Sequence, residues 1–341
     1  MDSIIAKAIK QQKIPRPPVW LMRQAGRYLE EYRALKQRHT FEELCSSSEL
    51  AFEISMQPIQ ILDVDAAILF ADILTPLKAL GINVTFNPGP CIANPIQSSS
   101  DIEALKQISI TEAVPSVFKT ITAIKEELNK NYPDKGVIGF CGTPWTLACY
   151  LIDQGPIKHF QGTSIFLRQN RSAFCHLLEK LTKLNIDYCI AQIEAGAEVI
   201  QLFDSWGGIL SGADYLEFSL PYIQKIISSI KQSGALAILY VNGSAHLLNQ
   251  MKQAEADCYS LDWKTSVAEA KNVFGPSISL QGNLDPCALY DTKAEVKKLT
   301  KEMLATFGMD TGYIANLGHG ILQTTPRENV LAFVDTVKNY V

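Results

Sequence analysis

Histidine is scarce in this chain: five in 341 residues, at positions 39, 159, 176, 246 and 319. No two stand four apart, so the helical zinc motif with ligands one turn apart is missing. The eight cysteines, at 45, 91, 141, 149, 175, 189, 258 and 287, include no Cys-x-x-Cys pair. That argues against a disulfide framework and a thiolate zinc site, and the residues read as reduced, buried, small hydrophobes. No apolar run reaches the ~18 residues of a membrane span. Residues 1–13 lack a signal-peptide core, so a cytoplasmic address is expected. There is no excess of positive charge: the formal net charge is −4, which disfavours nucleic acid as a partner. No Gly-x-Gly-x-x-Gly follows the first apolar run and no Walker sequence occurs, so dinucleotide and P-loop folds lack their phosphate turns. Low-complexity segments and short repeats are absent too.

What is present is a regular alternation. With 47% hydrophobic and 19% charged residues, the chain has material for a large core. Short apolar runs that read as buried strands occur at Val19–Met22, Ala66–Phe70, Val137–Phe140, Glu198–Phe203, Leu236–Val241, Cys258–Leu261, Ile278–Gln281 and Tyr313–Asn316. They are continuous rather than alternating, as a sheet covered on both faces requires. Helical patterns separate them: Ser48–Leu62, Pro115–Lys130, Ser164–Gly196, Gly212–Lys231, Ala245–Gln253, Ser266–Phe274, Thr292–Phe307 and Pro326–Tyr340. Eight such units predict one α/β domain over residues 1–341, a (β/α)8 TIM-type barrel. An extra N-terminal helix within Asp2–Gln12 and a β-hairpin insertion around Asn87-Pro-Gly-Pro90, after the second strand, complete the expectation.

The polar residues cluster where strands end. Arg23 follows the first apolar run and Arg27 comes four residues later across a glycine; two permanent positive charges there need an anion. Asp72, Ser205, Asn242, Asp262 and His319 occupy the corresponding place after other runs. In a barrel those ends converge on one mouth. Each residue also has a plainer reading: Asp72 and Ser205 as caps, Tyr150 as core. Gly142-Thr-Pro-Trp145 and Gly282-Asn-Leu-Asp285 read as loop scaffolding.

Seven separated words, "MRQAGRYL", "ILFADIL", "GFCGTPWTLACYLI", "IQLFDSWGG", "SLDW", "LQGNLDP" and "ANLGHGI", resemble in order the signatures of the uroporphyrinogen decarboxylase family. The resemblance covers nearly the whole chain. It implies cofactor-free and metal-free removal of carbon dioxide from the four acetates of uroporphyrinogen III, giving coproporphyrinogen III, by a homodimer with facing clefts. Carried over residue by residue, it implies Asp72 and Arg23 as catalytic. It implies Arg23, Arg27, Lys36, Asp72, Tyr150, Phe203, Ser205 and His319 as substrate-binding. Lys36 stands where some relatives carry arginine, and it lacks the planar fork that grips a carboxylate. Glu30 and Gln323 replace common prolines and are expected to tune loops only. The proton donor stays open among Arg23, His319 and a water. The rival reading on this fold, a zinc-dependent corrinoid or thiol methyltransferase, expects a His-x-Cys-Gly word where Tyr240-Val-Asn242-Gly243 stands, so its thiolate ligands are missing.

Overall fold

The computed structural model describes residues 2–86, 89–154, 160–308 and 312–340. Its strands are β1 (Ala66–Ile68), β2 (Val84–Phe86), β3 (Pro90–Ile92), β4 (Gly136–Gly142), β5 (Val199–Asp204), β6 (Leu236–Val241), β7 (Cys258–Ser260), β8 (Ser279–Leu284) and β9 (Tyr313–Leu317). Seven of them form one parallel sheet in the order β1-β4-β5-β6-β7-β8-β9. Every residue of β4, β5 and β9 is buried, which explains the unbroken apolar runs. β2 and β3 pair antiparallel outside this sheet, Thr85 opposite Cys91; residues 87–88 of the expected turn lie outside the described residues. An N-terminal helix, Ile4–Ile9, packs against β9 and β4.

The sheet is curled. Gln281 on β8 donates to Gln201 on β5 at 3.0 Å, although β6 and β7 lie between their strands. Across a flat sheet three strand spacings would separate them by ~14 Å. Gln281 also donates to Ser260 at 2.9 Å and accepts from the Trp20 indole at 2.8 Å. The Gln281 amide thereby finds three side-chain partners in a buried position where it would be costly to leave it alone, whereas the buried Gln201 Nε2 has no partner among the described residues.

Val19–Met22 is the main departure from the expected strands. It forms no ladder; Val19 alone makes an isolated parallel bridge, to Ala315. The reason lies in which groups meet its amides. Val19 N–H goes to the Asp65 carboxylate at 2.7 Å, Leu21 N–H to the Gln24 side chain at 3.0 Å and Met22 N–H to the Asn316 side chain at 3.1 Å. Side chains replace the neighbouring carbonyls. Even so, the segment touches both edges of the sheet: Ala315 N–H donates to Pro18 O at 2.8 Å and Asp65 N–H to Val19 O at 2.7 Å.

The helices follow the predicted order with local corrections. The long pattern from Ser164 divides into Gln161–Gln169 and Arg171–Glu194, with Asn170 in a non-helical conformation between them. The pattern from Gly212 divides at Ser219, just before Pro221, into Gly212–Phe218 and Leu220–Gln232. Proline tolerates only a first turn, so the break falls there. Ala245–Gln253 becomes a 3-10 turn, Ala245–Leu247, followed by a short helix, Leu248–Lys252. Pro326 serves as the cap of Arg327–Lys338 rather than as its first helical residue. Cys141, Cys149, Cys189 and Cys258 are buried as expected, whereas Cys91 and Cys287 are exposed.

Asp65 anchors the junction. Arg16 grips it with two bonds, 2.7 and 2.9 Å, while Val19 N–H takes the same carboxylate. Removing one partner of a buried pair leaves the other uncompensated. Asp65→Ala is therefore expected to lower stability by about 3 kcal/mol, with Asp65→Asn losing less because it keeps an acceptor for Val19. Urea unfolding tests this, and an Asp65→Ala midpoint equal to that of the unaltered chain would remove the anchoring role.

Candidate active site

The turn after Val19–Met22 is held from several sides. Gln24, fully buried, accepts from Leu21 N–H and donates to Ala66 O at 2.9 Å, tying the turn to β1. Tyr28 OH donates to Gln24 O. Arg33, from the helix Glu30–Lys36, donates to the carbonyls of Arg27 and Tyr28 at 2.9 and 3.1 Å. Within this frame Arg23 has φ 62°, a left-handed conformation costing a non-glycine residue about 1–2 kcal/mol. Such strain is retained where surrounding contacts over-determine it, and it concentrates at functional sites. Its side chain lies over Gly320, where an added Cβ would sit 2.4 Å from Arg23 Cδ.

Asp72 stands in the loop between β1 and a 3-10 turn, Thr75–Leu80. One carboxylate oxygen, Oδ1, accepts from Leu74 N–H at 2.8 Å, and Asp72 N–H goes to the Thr75 hydroxyl at 3.2 Å. Asp72 is therefore not the cap of that turn, whose N-cap position is Leu74; its Oδ1 closes a local turn to the Leu74 amide instead. Among the described residues no hydrogen bond engages Oδ2, which leaves one oxygen to accept from a ligand. Desolvation pushes the carboxyl up to about 6, against the lowering effects of the Leu74 bond and the Arg23 charge. Burial wins because one hydrogen bond and one nearby cation replace only part of the lost hydration.

Arg23 is the common electrostatic neighbour of the cleft. Its charge bears on Asp72, Tyr150, Tyr240 and His319. Tyr150, half-buried on the helix Pro144–Asp153, feels both Asp72 and Arg23; its ring stands 6.2 Å from Trp206. Phe203 ends β5 with its ring edge-on to Phe140 at 5.8 Å and Tyr240 at 5.9 Å. Tyr240 in turn approaches His319 at 6.4 Å and donates to Gly318 O at 3.0 Å. Phe140, Phe203, Tyr240 and His319 thus form a run of edge-on ring contacts.

His319 has a defined proton arrangement. Gly320 N–H donates to its Nδ1 at 2.7 Å, so the proton of the neutral ring sits on Nε2. Desolvation first, then the Arg23 charge, holds the imidazole down to about 4. The ring is neutral near pH 7 and offers an N–H to an anion.

Ser205, Arg27 and Lys36 are less closely bound into this group. Ser205 is not a helix cap; its carbonyl accepts from Asn242 Nδ2 at 3.4 Å. Arg27 is exposed and donates to Gln323 at 2.7 Å. Gln323 thus contacts an arginine named from the sequence, more than the loop tuning expected of it. Lys36 reaches the cleft only indirectly: the half-buried Cys45 thiol feels both Asp72 and Lys36, and desolvation chiefly raises it.

Two carboxylates carry weight that sequence reading did not assign. Asp204, fully buried at the end of β5, accepts from Thr143 at 2.7 Å, Thr146 at 2.8 Å and Ser219 at 2.7 Å. Burial raises it despite those bonds. Asp262 accepts from Gly243 N–H, Ser244 N–H, Lys264 N–H and the Thr265 hydroxyl, between 2.5 and 3.0 Å. Both brace the loops around the mouth. The words "LFDS" and "SLDW" contain them, but a pattern of residue types does not tell a bracing carboxylate from one facing a ligand.

The family model for uroporphyrinogen decarboxylase matches residues 2–340. Curated proteins named uroporphyrinogen decarboxylase from Geobacter metallireducens and Geotalea daltonii are each 42% identical over 337 residues, spanning 99% of this chain and 98% of theirs. Among solved structures, a methyltransferase from Methanosarcina mazei superposes with TM-score 0.83 at 21% identity, covering 99% of each chain. A B12-independent methionine synthase from Shewanella sp. W3-18-1 reaches 0.58 at 12%, covering 86% of this chain and 87% of that one. At those identities the structures share the fold alone. The match over residues 2–340 and the 42% identity over almost all of the chain assign it: the chain belongs to the uroporphyrinogen decarboxylase family.

Proposed function

We propose that the cleft around Asp72 and Arg23 carries the reaction of the family, removal of carbon dioxide from the acetate side chains of uroporphyrinogen. The chain is a carboxy-lyase of porphyrin biosynthesis, with uroporphyrinogen III as substrate and coproporphyrinogen III as product. The observation that carries the site reading is Asp72: a desolvated carboxylate with one oxygen unengaged, beside a strained arginine.

Losing carbon dioxide leaves an electron pair on the side-chain carbon. A pyrrole supplies its own sink. Protonation of the ring carbon next to the acetate-bearing carbon makes a cationic ring, and cleavage of the carbon–carboxylate bond returns the pair to it. The exocyclic methylene so formed then takes a proton, and the ring carbon gives up the one it gained, so that each acetate exchanges carbon dioxide for one net proton and becomes a methyl group. Asp72 accepts hydrogen bonds from pyrrole N–H groups and opposes the ring's developing positive charge. Arg23 and Arg27 meet peripheral carboxylates with charge-assisted bonds, and Lys36 adds a point charge. Tyr150, Phe203 and Ser205 bound the macrocycle. His319, neutral, gives its Nε2–H to a carboxylate. It is a poor source of a proton for carbon, because its imidazolium form is not populated near pH 7. The reading includes a closed eight-membered (β/α)8 barrel with Val19–Met22 as its first member, forming one domain over residues 1–341. The N-terminal helix and the β2–β3 pair are its additions, and the chain acts as a cytoplasmic homodimer. A solution mass of a single chain would remove the dimer.

The site reading predicts opposite effects of one substitution. In Asp72→Asn, anaerobic conversion of reduced uroporphyrinogen, followed by separating products by carboxylate number, should fall at least ~10²-fold. The same variant should be more stable at pH 8. The folded carboxyl is raised from 3.8 to about 6, so the stability associated with the neutral form is full below 3.8 and lost as pH rises through 6. That difference corresponds to at most about 3 kcal/mol; a gain of ~1–3 kcal/mol in urea unfolding at pH 8 and none near pH 4 is expected. Turnover unchanged in Asp72→Asn would dismiss the carboxylate's role. The pH profile gives a separate check. kcat/KM should fall as pH drops below about 6, as Asp72 takes up a proton. His319, held at about 4, is uncharged over that interval, so the acid limb should persist in His319→Gln. A limb that vanishes with the histidine would transfer the titration to it.

A further inference from the structure

We propose that Lys264 is a specificity-determining residue of the cleft, a cation that meets a peripheral carboxylate of the substrate on the same rim as Arg23 and His319. The inference rests on the functional reading above and adds a residue to it. Lys264 follows β7 directly after Trp263, and its backbone is fixed by the bond from its N–H to Asp262 at 2.8 Å. Its ammonium lies 4.9 Å from the centre of the Trp263 ring. The Trp263 ring stands edge-on to His319 at 5.9 Å. Trp263 is pressed against the loop that carries the histidine: an added Cβ on Gly318 would sit 2.1 Å from Trp263 N. On the other side of His319, Gly320 lets the Arg23 side chain lie against the backbone. Lys264, Trp263, His319, Gly320 and Arg23 therefore form one row along the mouth.

The row has a charge imbalance. Lys264 is exposed and makes no ion pair among the described residues. Arg23 makes none either. Both cations disfavour a proton on His319, while Asp262 favours one. Asp262 is already occupied by four donors. The Lys264 ammonium lies on the Trp263 ring, and that ring meets His319 edge-on; the rim thus offers a second cationic position for a substrate carboxylate besides the one at Arg23, with the tryptophan restricting where the ammonium can go. A flexible ammonium suits a flexible acidic side chain at the rim, where a planar fork is not required.

Steady-state kinetics with reduced uroporphyrinogen tests this in the unaltered chain, Lys264→Gln and Lys264→Arg. The glutamine variant should raise KM about tenfold, with kcat within about twofold and the thermal midpoint unchanged. The arginine variant should keep KM within about threefold. Raising salt should increase KM more steeply in the unaltered chain than in Lys264→Gln. Equal KM values in the unaltered chain and Lys264→Gln would overturn the role of Lys264 and leave the decarboxylation standing. Loss of kcat and thermal stability together in Lys264→Gln, without rescue by arginine, would make the lysine structural. A well-folded unaltered chain that releases no carbon dioxide from uroporphyrinogen would overturn both readings, because the role of Lys264 is defined on that substrate.

Discussion

The junction between Arg16, Asp65 and Val19 is the contact on which the rest depends. A seven-stranded parallel sheet has two edges, and each edge presents unpaired amides and carbonyls. The segment Pro18–Val19 meets both edges, accepting from Ala315 on β9 and from Asp65 just before β1. Asp65 supplies the carboxylate that Val19 N–H needs, and Arg16 neutralises that carboxylate. Ordinary strand pairing could have done this with backbone alone. Using side chains instead lets the chain turn sharply at Arg23, because Asn316 and Gln24 take the amides that a continuing strand would have paired. The turn at Arg23 and the bonds from this segment to residues at both edges of the curled sheet thus share the same contacts.

The chemistry of the cleft follows from uneven solvation. Asp72 loses more hydration than its Leu74 bond and the Arg23 charge restore, so its carboxyl rises. Asp262 accepts from four donors, two on its own loop and two on the loop after β6, and the three hydroxyls on Asp204 offset its burial only in part. The carboxylate left under-bonded is the one with an oxygen to spare for a ligand. His319 shows the complementary effect, since burial and two cations keep it neutral and the Gly320 amide selects which nitrogen bears the proton. A chain of net charge −4 thereby places Arg23 near an under-bonded carboxylate, and Arg23 and Lys264 within Coulomb range of His319.

Much of the scaffold was legible because its signals are local. Continuous apolar runs marked β4, β5, β6, β7 and β9 within a residue or two, since burial on both faces forces that composition, while β8 runs three residues past its apolar run, to Leu284. The division at Asn170 was not legible as a break, because a helical pattern continues across it, whereas Pro221 marked the break at Ser219 that the apolar pattern alone passes over. Val19–Met22 read as a strand by composition, yet its partners include side chains from residues 65 and 316, which no local pattern reveals. Among the site residues, the order of the words located Arg23, Asp72 and His319, but not the contact of Gln323 with Arg27 or the row through Lys264.

The sequence by itself determined the family, the alternation of strands and helices, and the residue types available at the strand ends. Those properties are written in composition and order, and neighbouring residues suffice to express them. Only the tertiary structure decided which carboxylate is under-bonded, which nitrogen of His319 carries the proton, and which cations stand without partners. The direct bonds are short-range, from Gly320 to His319 and from Leu74 to Asp72, but the burial and the Arg23 charge that act on both groups come from residues distant in the chain that meet them in the fold. That meeting is set by the curl of the sheet and by the junction that joins its edges.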